Sequence, residues 1–312
     1  MTKVFIDGSA GTAGLRIRSR LEGRADLDVT VLEGEARKDT EHRREMLNSC
    51  DLAVLCLPDA ASRESVSMIE NPRVRVVDTS TAHRVAPGWA YGFPELSAER
   101  REAVISGTRV ASPGCHAGGF IVLVQPLIES GILPADALLS CHSLTGYSGG
   151  GKGMIAEYEA PERPAEFGSP REYGLTQQHK HLPEMAGICG LANYPVFCPI
   201  VADFYSGMLV TVPLFKEQLN AGYTLGDIRE VYAAKYNGPV VKYVEAMDAG
   251  GFVASNTLTG TDAMDVTVCG NGERMILLSR FDNLGKGASG AAVQCINLML
   301  GADETAGLVL PG

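Results

Sequence analysis

Val4-Phe5-Ile6-Asp7-Gly8-Ser9-Ala10-Gly11-Thr12-Ala13-Gly14 is a short apolar run that passes into a turn with a glycine at every third position, and Leu15, Ile17 and Leu21 follow at helical spacing. This reads as a strand, a tight turn and the start of a helix. The pattern Gly-x-x-Gly-x-x-Gly departs from the dinucleotide fingerprint Gly-x-Gly-x-x-Gly, yet each glycine keeps a physical task. Gly8 permits the turn, Gly11 lets the backbone approach a pyrophosphate, and Gly14 lets the helix lie close to the strand. Free N–H groups at the helix start then face the phosphates. Gly8, Ser9, Ala10, Gly11, Thr12 and Gly14 are therefore candidate nucleotide contacts. Glycine turns between strand and helix are common, so the position on the first strand gives this one its weight.

Working outward, Leu27-Asp28-Val29-Thr30-Val31-Leu32 is a second strand, followed by Glu33-Gly34-Glu35-Ala36-Arg37-Lys38. An acid at this place suits ribose hydroxyls and a base suits a 2′-phosphate. Both are present, and Arg37 and Lys38 tilt the expectation towards NADP, against the plain alternative of a solvated charged loop. Asp51–Pro58 and Val74–Ser80 read as further buried strands. Strands alternating with helical segments predict a parallel, doubly wound α/β sheet. Ligands bind beyond the carboxyl ends of such strands, so Pro58 and Ser80 join the cofactor candidates.

Ser112-Pro113-Gly114-Cys115-His116-Ala117-Gly118-Gly119-Phe120 carries the chemistry. Pro113 and Gly114 make a turn, and the residues after Cys115 look like the start of a buried helix. The positive end of a helix dipole favours the nucleophilic thiolate. The competing reading is a structural buried cysteine.

Beyond about residue 135 the pattern changes to an α+β domain with a largely antiparallel sheet, its strands expected near 138–147, 206–214, 263–269 and 275–280. Ser148-Gly149-Gly150-Gly151-Lys152-Gly153 is a loop able to wrap an anion, or a flexible linker, and its spacing is not that of a Walker A loop. Gln178-His179-Lys180-His181-Leu182-Pro183-Glu184 is dense in acid–base groups, and Pro183 with Glu184 marks the first turn of a helix. No third ligand accompanies His179-x-His181, so no metal is expected. A final buried helix is expected from Ala288 to Leu300, after Asn283-Leu284-Gly285-Lys286-Gly287.

The 312 residues, 45% hydrophobic and 21% charged, are enough for two domains. The formal net charge of -10 and the lack of a basic run argue against nucleic acid. No apolar run is long enough for a membrane span. The eight cysteines include no Cys-x-x-Cys pair, and with no export signal they are expected to be reduced thiols in a cytoplasm.

Several segments together resemble the N-acetyl-γ-glutamyl-phosphate reductase family of arginine biosynthesis, in its shorter type. They are Phe5–Gly14, Asp78-Thr79-Ser80-Thr81-Ala82-His83-Arg84-Val85, Tyr91–Leu96, Ser112–Cys115, Tyr147–Lys152, His179–Glu184 and Asp282–Gly287. The resemblance spans nearly the whole chain. It departs from the longer type at His116, where that type has an aromatic residue, and in the shorter stretch between Arg84 and Cys115.

The resemblance implies an NADP-binding Rossmann domain from residues 1–115 with 283–312, and a catalytic and oligomerisation domain from 116–282. It further implies a homodimer or homotetramer acting on a small acyl phosphate, with NADPH as reductant. Cys115 would be the nucleophile, and His179 or His181 the acid–base group, His179 being favoured by family precedent. Glu184 would orient the imidazole, Arg84 would hold the substrate carboxylate, and Ser148, Gly149 and Gly150 would hold its phosphoryl group or acyl chain. Asn283 would touch the cofactor. The rival expectations are the same chemistry on an aspartyl or aminoadipyl phosphate, a non-catalytic dinucleotide-binding protein, and, less strongly, a zinc enzyme.

Overall fold

The structure is a computed structural model and describes residues 1–311. Two compact units divide the chain, one of Met1–Gly114 with Ala288–Leu308, the other of Cys115–Gly287 with the residues from Val309. The line drawn from the sequence ran after Cys115 and before Asn283. In the structure it runs before Cys115 and after Gly287. Cys115 is the first residue of a helix that packs inside the second unit, and the Asn283 side chain is bonded there.

The first unit alternates β1 (Thr2–Asp7), α1 (Thr12–Leu21), β2 (Leu27–Val31), α2 (Thr40–Ser49), β3 (Leu52–Leu55), α3 (Asp59–Ser67) and β4 (Arg75–Asp78), then β5 (Ala90–Tyr91), α4 (Ala98–Ser106) and β6 (Arg109–Ala111). The strands lie in the order β2-β1-β3-β4-β6-β5, and each pairing among the described residues is parallel. Both faces of the sheet are covered. Val4 and Ile6 of β1 pack with Ile17 and Leu21 of α1 and with Val293 and Ile296, while Phe5 points the other way to Leu47, Ala53 and Val76. Burial on both sides explains why these strands read as unbroken apolar runs rather than alternating ones. The chain moves from β1 out to β2 and then returns to β3 on the far side of β1. That reversal opens a crevice at the carboxyl ends of β1 and β3, where Gly8 and Pro58 follow their strands.

The second unit opens with α5 (Cys115–Glu129) and continues with β7 (Ser140–Gly146), α6 (Gly151–Tyr158), β8 (Arg171–Glu172), α7 (Leu182–Cys189), β9 (Val196–Ala202), β10 (Met208–Phe215), α8 (Leu225–Lys235), β11 (Val241–Tyr243), β12 (Met264–Gly270) and β13 (Arg274–Phe281). After β13 comes a five-residue π turn, Gly285–Ser289, and the chain then returns to the first unit as α9 (Gly290–Leu300). The sheet order is β11-β12-β13-β10-β7-β9-β8. Its pairings are antiparallel except for β7 with β9 and β11 with β12, so the expected antiparallel sheet is in fact mixed.

α5 is the hub of this unit. Its residues from His116 to Leu127 are buried, and each large apolar side chain among them contributes about 2 kcal/mol of burial. A Cβ on Gly119 would come within 2.5 Å of Val210 and 2.8 Å of Phe281, so glycine there lets the helix settle onto β10 and β13. Pro126 has no N–H to give to the Val122 carbonyl one turn back. The Tyr236 hydroxyl donates to that carbonyl instead, at 2.6 Å.

Candidate active site

In the first unit the glycine turn has the stereochemistry the spacing demanded. Gly8 has φ +91°, and a Cβ there would lie 2.4 Å from the Cys56 carbonyl oxygen. A Cβ on Gly14 would lie 2.7 Å from the Gly8 oxygen. Gly11 has open space around it and stands at the N-cap of α1, with no side-chain cap and no acid in the first turn. The amide groups that begin α1, with Ser9, Ala10 and Thr12 beside them, are thus left for an anion, and the cradle fits a pyrophosphate.

Arg37 and Lys38 are exposed in a short 3₁₀ turn after β2, on the same edge of the sheet. Lys38 reaches Glu35 at 3.2 Å. Glu33, the acid that would suit ribose hydroxyls, accepts from Arg18 at 3.2 Å. Pro58 is exposed before α3, and Ser80 is buried with its hydroxyl donating to Asp78 at 2.8 Å.

Arg84 is buried, and its Nε donates to the Ser112 carbonyl at 2.9 Å and its Nη2 to the Thr79 carbonyl at 3.0 Å. These bonds tie the guanidinium to the backbone just before Cys115. They compete with the expected role as an arm for the substrate carboxylate. Beside it, His83 bonds Asp78 through Nδ1 at 2.6 Å and stacks flat on Trp89, with ring centroids 4.1 Å apart.

In the second unit Cys115 is the half-buried first residue of α5, whose first turn carries no acid. The next residue, His116, is buried and bonded at both ring nitrogens, Nδ1 to Ser143 Oγ at 2.7 Å and Nε2 to the Tyr173 hydroxyl at 2.8 Å. His179 and His181 surround it, with ring centroids 5.9 and 5.7 Å away, and Phe197 closes the group at 5.4 Å. Burial, and then the like charges of His179 and Lys180, push the His116 pKa down to about 3. His179 is lowered by burial and by Lys180. Both rings are neutral at neutral pH. The His181 N–H donates to His179 Nδ1 at 3.2 Å, which leaves the proton of a neutral His179 on Nε2. His181 precedes α7, and Glu184 is buried in the first turn of that helix.

The glycine-rich segment differs from its expectation as one continuous loop. Ser148, Gly149 and Gly150 lie in a 3₁₀ turn, but Gly151 starts α6 and Lys152 is exposed in its first turn. Asn283, expected at the cofactor, is buried with its amide oxygen accepting from Gly207 N–H at 2.9 Å and its Nδ2 donating to Ser148 Oγ at 3.0 Å.

The family described as "Semialdehyde dehydrogenase, NAD binding domain" matches residues 3–104, and "Semialdehyde dehydrogenase, dimerisation domain" matches residues 115–283. The chain is 46% identical over 307 residues to the N-acetyl-gamma-glutamyl-phosphate reductase of Rhizobium meliloti (strain 1021), covering 96% of this chain and 99% of that one. It is 42% identical to the N-acetyl-gamma-glutamyl-phosphate reductase 2 of Nostoc sp. (strain PCC 7120 / SAG 25.82 / UTEX 2576), covering 98% and 99%. The chain belongs to the N-acetyl-γ-glutamyl-phosphate reductase family. Among solved structures, its fold is similar to aspartate semialdehyde dehydrogenase II of Vibrio cholerae, with a TM-score of 0.74 at 16% identity over 96% of this chain and 98% of that one.

Three residues beside Cys115 escaped the sequence reading within this reductase family member. His116 was noted only as a departure from the longer type. Ser143 is one polar residue in an alternating strand, and Tyr173 follows the two-residue strand β8, which no pattern marks. The one available signal was a titratable residue directly after Cys115.

Proposed function

We propose that this protein reduces N-acetyl-γ-glutamyl phosphate to N-acetylglutamate 5-semialdehyde and phosphate with NADPH, as a step of arginine biosynthesis. The observation that carries the reading is Cys115 at the start of the buried helix α5, beside imidazoles held neutral by burial. The dipole of α5 favours the thiolate. The thiol proton passes to His181, since a neutral His179 with Nδ1 occupied offers a donor at Nε2. Glu184 holds the imidazole in place. The thiolate forms an S–C bond to the acyl carbon, and the C–O bond to phosphate breaks with its electron pair on the leaving group. NADPH, when bound, would supply the hydride that the thioester carbonyl accepts, giving the thiohemiacetal alkoxide on Cys115. That species expels the Cys115 thiolate, and the stored proton returns to sulfur.

The α1 amides with Gly8–Gly14 would hold the pyrophosphate, and Arg37 and Lys38 the 2′-phosphate. Pro58 and Ser80 follow the carboxyl ends of strands β3 and β4, where a dinucleotide lies. Ser148, Gly149 and Gly150 remain the proposed contacts for the acyl phosphate. Asn283 acts through Ser148 by the hydrogen bond between them. Arg84 first fixes the backbone stretch that leads to Cys115.

Self-association is supported by the second sheet. Its helices pack on the Val210 and Val212 face, while the opposite face presents Leu144, Leu209, Pro213, Phe215 and Ile276 in register across β7, β10 and β13. We take this face, in the segment that matches a dimerisation domain, as the contact of a homodimer or homotetramer. No helix is long and apolar enough to cross a membrane among the described residues, and a cytoplasmic enzyme is our reading.

The test is the reverse reaction, with N-acetylglutamate semialdehyde, phosphate and NADP, followed by NADPH absorbance. Phosphate-dependent NADPH formation abolished by thiol alkylation is the expected result. No signal from protein that binds NADP would move the assignment to another semialdehyde, and then to a non-catalytic binding role.

A further inference from the structure

The chain Ser143–His116–Tyr173 can be solved for its protons. Ser143 is fully buried on β7, and its hydroxyl has one hydrogen-bond partner among the described residues, His116 Nδ1. A neutral imidazole carries one N–H and one acceptor nitrogen. If Nδ1 held the proton, the Ser143 O–H would be a buried donor with nothing to receive it, which proteins avoid. The arrangement that satisfies every buried group has Ser143 O–H donating to Nδ1 and Nε2–H donating to the Tyr173 oxygen. The Tyr173 hydroxyl proton is then left over. Its oxygen is already an acceptor, and no protein group among the described residues receives its O–H.

Tyr173 is also held in place from elsewhere. Its backbone N–H donates to the Pro199 carbonyl at 3.0 Å, and its ring meets His116 and His179 edge-on at 6.2 Å from each. Burial, and to a smaller degree the negative charge that nearby Cys115 would carry as a thiolate, push the Tyr173 phenol up, so it stays protonated.

We infer that Tyr173 is a further catalytic residue, donating a hydrogen bond to the acyl oxygen of the group carried on Cys115, with His116 and Ser143 as positioning residues that keep its proton pointing outward. This rests on the acyl-phosphate reductase reading above. No proton is transferred. As the S–C bond forms, the acyl C=O becomes an alkoxide oxygen, and as phosphate departs the C=O is restored. Tyr173 O–H bonds that oxygen more strongly while it is negative, and again when hydride makes the thiohemiacetal alkoxide. The donor is preorganised because both hydrogen bonds behind it run in one direction. In this design His116 is no acid or base, since it stays neutral throughout.

The experiment measures kcat and KM of wild type, Tyr173→Phe, Ser143→Ala and the double variant in the reverse assay, with the rate of Cys115 alkylation by iodoacetamide measured alongside. Loss of one such donor is expected to lower kcat about 100-fold with KM within about threefold. Ser143→Ala lets the imidazole shift its proton to Nδ1 and turn the phenol inward, so a loss of about tenfold is expected. The double variant is expected to be no worse than Tyr173→Phe, because both changes remove one donor. Alkylation is expected to keep its wild-type rate in all of them.

An active wild type with unchanged kcat in Tyr173→Phe overturns the role of Tyr173 alone. So do losses that multiply in the double variant, or a Tyr173→Phe protein that no longer alkylates. A wild type that makes no NADPH overturns the acyl-phosphate reading itself and this inference with it.

Discussion

The side-chain amide of Asn283 donates to the hydroxyl of Ser148 at 3.0 Å, and both residues are buried. Two segments 135 positions apart in the chain are thereby locked together, the polar turn after β13 and the glycine turn after β7. The same amide accepts from Gly207 N–H, so one side chain holds three pieces of backbone in the second unit.

Replacing Asn283 with Ala strands the Gly207 N–H, whose acceptor it removes, inside the protein. A loss of about 2 kcal/mol in stability is expected, read as a lower midpoint in urea unfolding. If instead stability is unchanged and only NADP affinity falls, the direct cofactor contact first expected from the sequence would be the better account.

Cys115→Ser keeps the fold, since the hydroxyl is close in size and the site is half-buried. Turnover is expected to fall by about 1,000-fold or more, as the alkoxide is not available at neutral pH. Stopped-flow NADPH formation gives the answer. Substantial remaining activity would remove the covalent route.

The two histidines of the His179/His181 pair should separate. His181→Asn is expected to slow iodoacetamide alkylation of Cys115 near neutral pH by about tenfold, and His179→Asn to leave it nearly unchanged while lowering kcat. The opposite order would return the base to His179.

Arg37→Ala together with Lys38→Ala should weaken NADP by about tenfold to 100-fold and NAD far less, since only NADP brings the 2′-phosphate. Calorimetric titration with both cofactors decides it, and equal losses would show that these side chains do not read that group.

His116 gives stability a pH dependence with a definite sign. Its pKa is about 3 in the folded protein, below the ordinary histidine value, because burial disfavours the charged ring. The unfolded chain therefore binds the extra proton first, and stability present above pH 6.5 is lost as pH falls towards 3. From pH 7 to pH 5 this one group accounts for about 2 kcal/mol. Urea midpoints of wild type and His116→Asn across that range should converge as pH falls, and parallel curves would place the effect elsewhere.

Most of the first unit was legible because its signals are local. β1, the Gly8–Gly14 turn and α1 are adjacent in sequence, and backbone sterics alone demand glycine where φ is +91° and a Cβ would strike Cys56. The helix that begins at Cys115 was legible for the same reason, while the turn expected at Pro113 and Gly114 is an extended link with no turn assigned. Two expectations concern side chains whose partners in the fold lie far away in sequence. Arg84 and Asn283 looked like ligand arms, since a polar residue in a loop offers its hydrogen bonds to whatever is near. The neighbours turned out to be the carbonyls of Ser112 and Thr79 in one case and Gly207 with Ser148 in the other.

The sequence by itself determined the strand–turn–helix of β1 and α1, the cysteine at a helix start and the imidazole pair, because each is a pattern over a few consecutive residues. Only the tertiary structure decided what surrounds His116, the residue after Cys115. Ser143, His116 and Tyr173 come from a strand, a helix and the link after β8, with no common periodicity. They meet because α5 is drawn onto the β10–β13 face of the sheet by apolar burial. Once there, a buried hydroxyl and a buried imidazole must share their protons, and that requirement sets the direction of the hydrogen bonds that end at Tyr173.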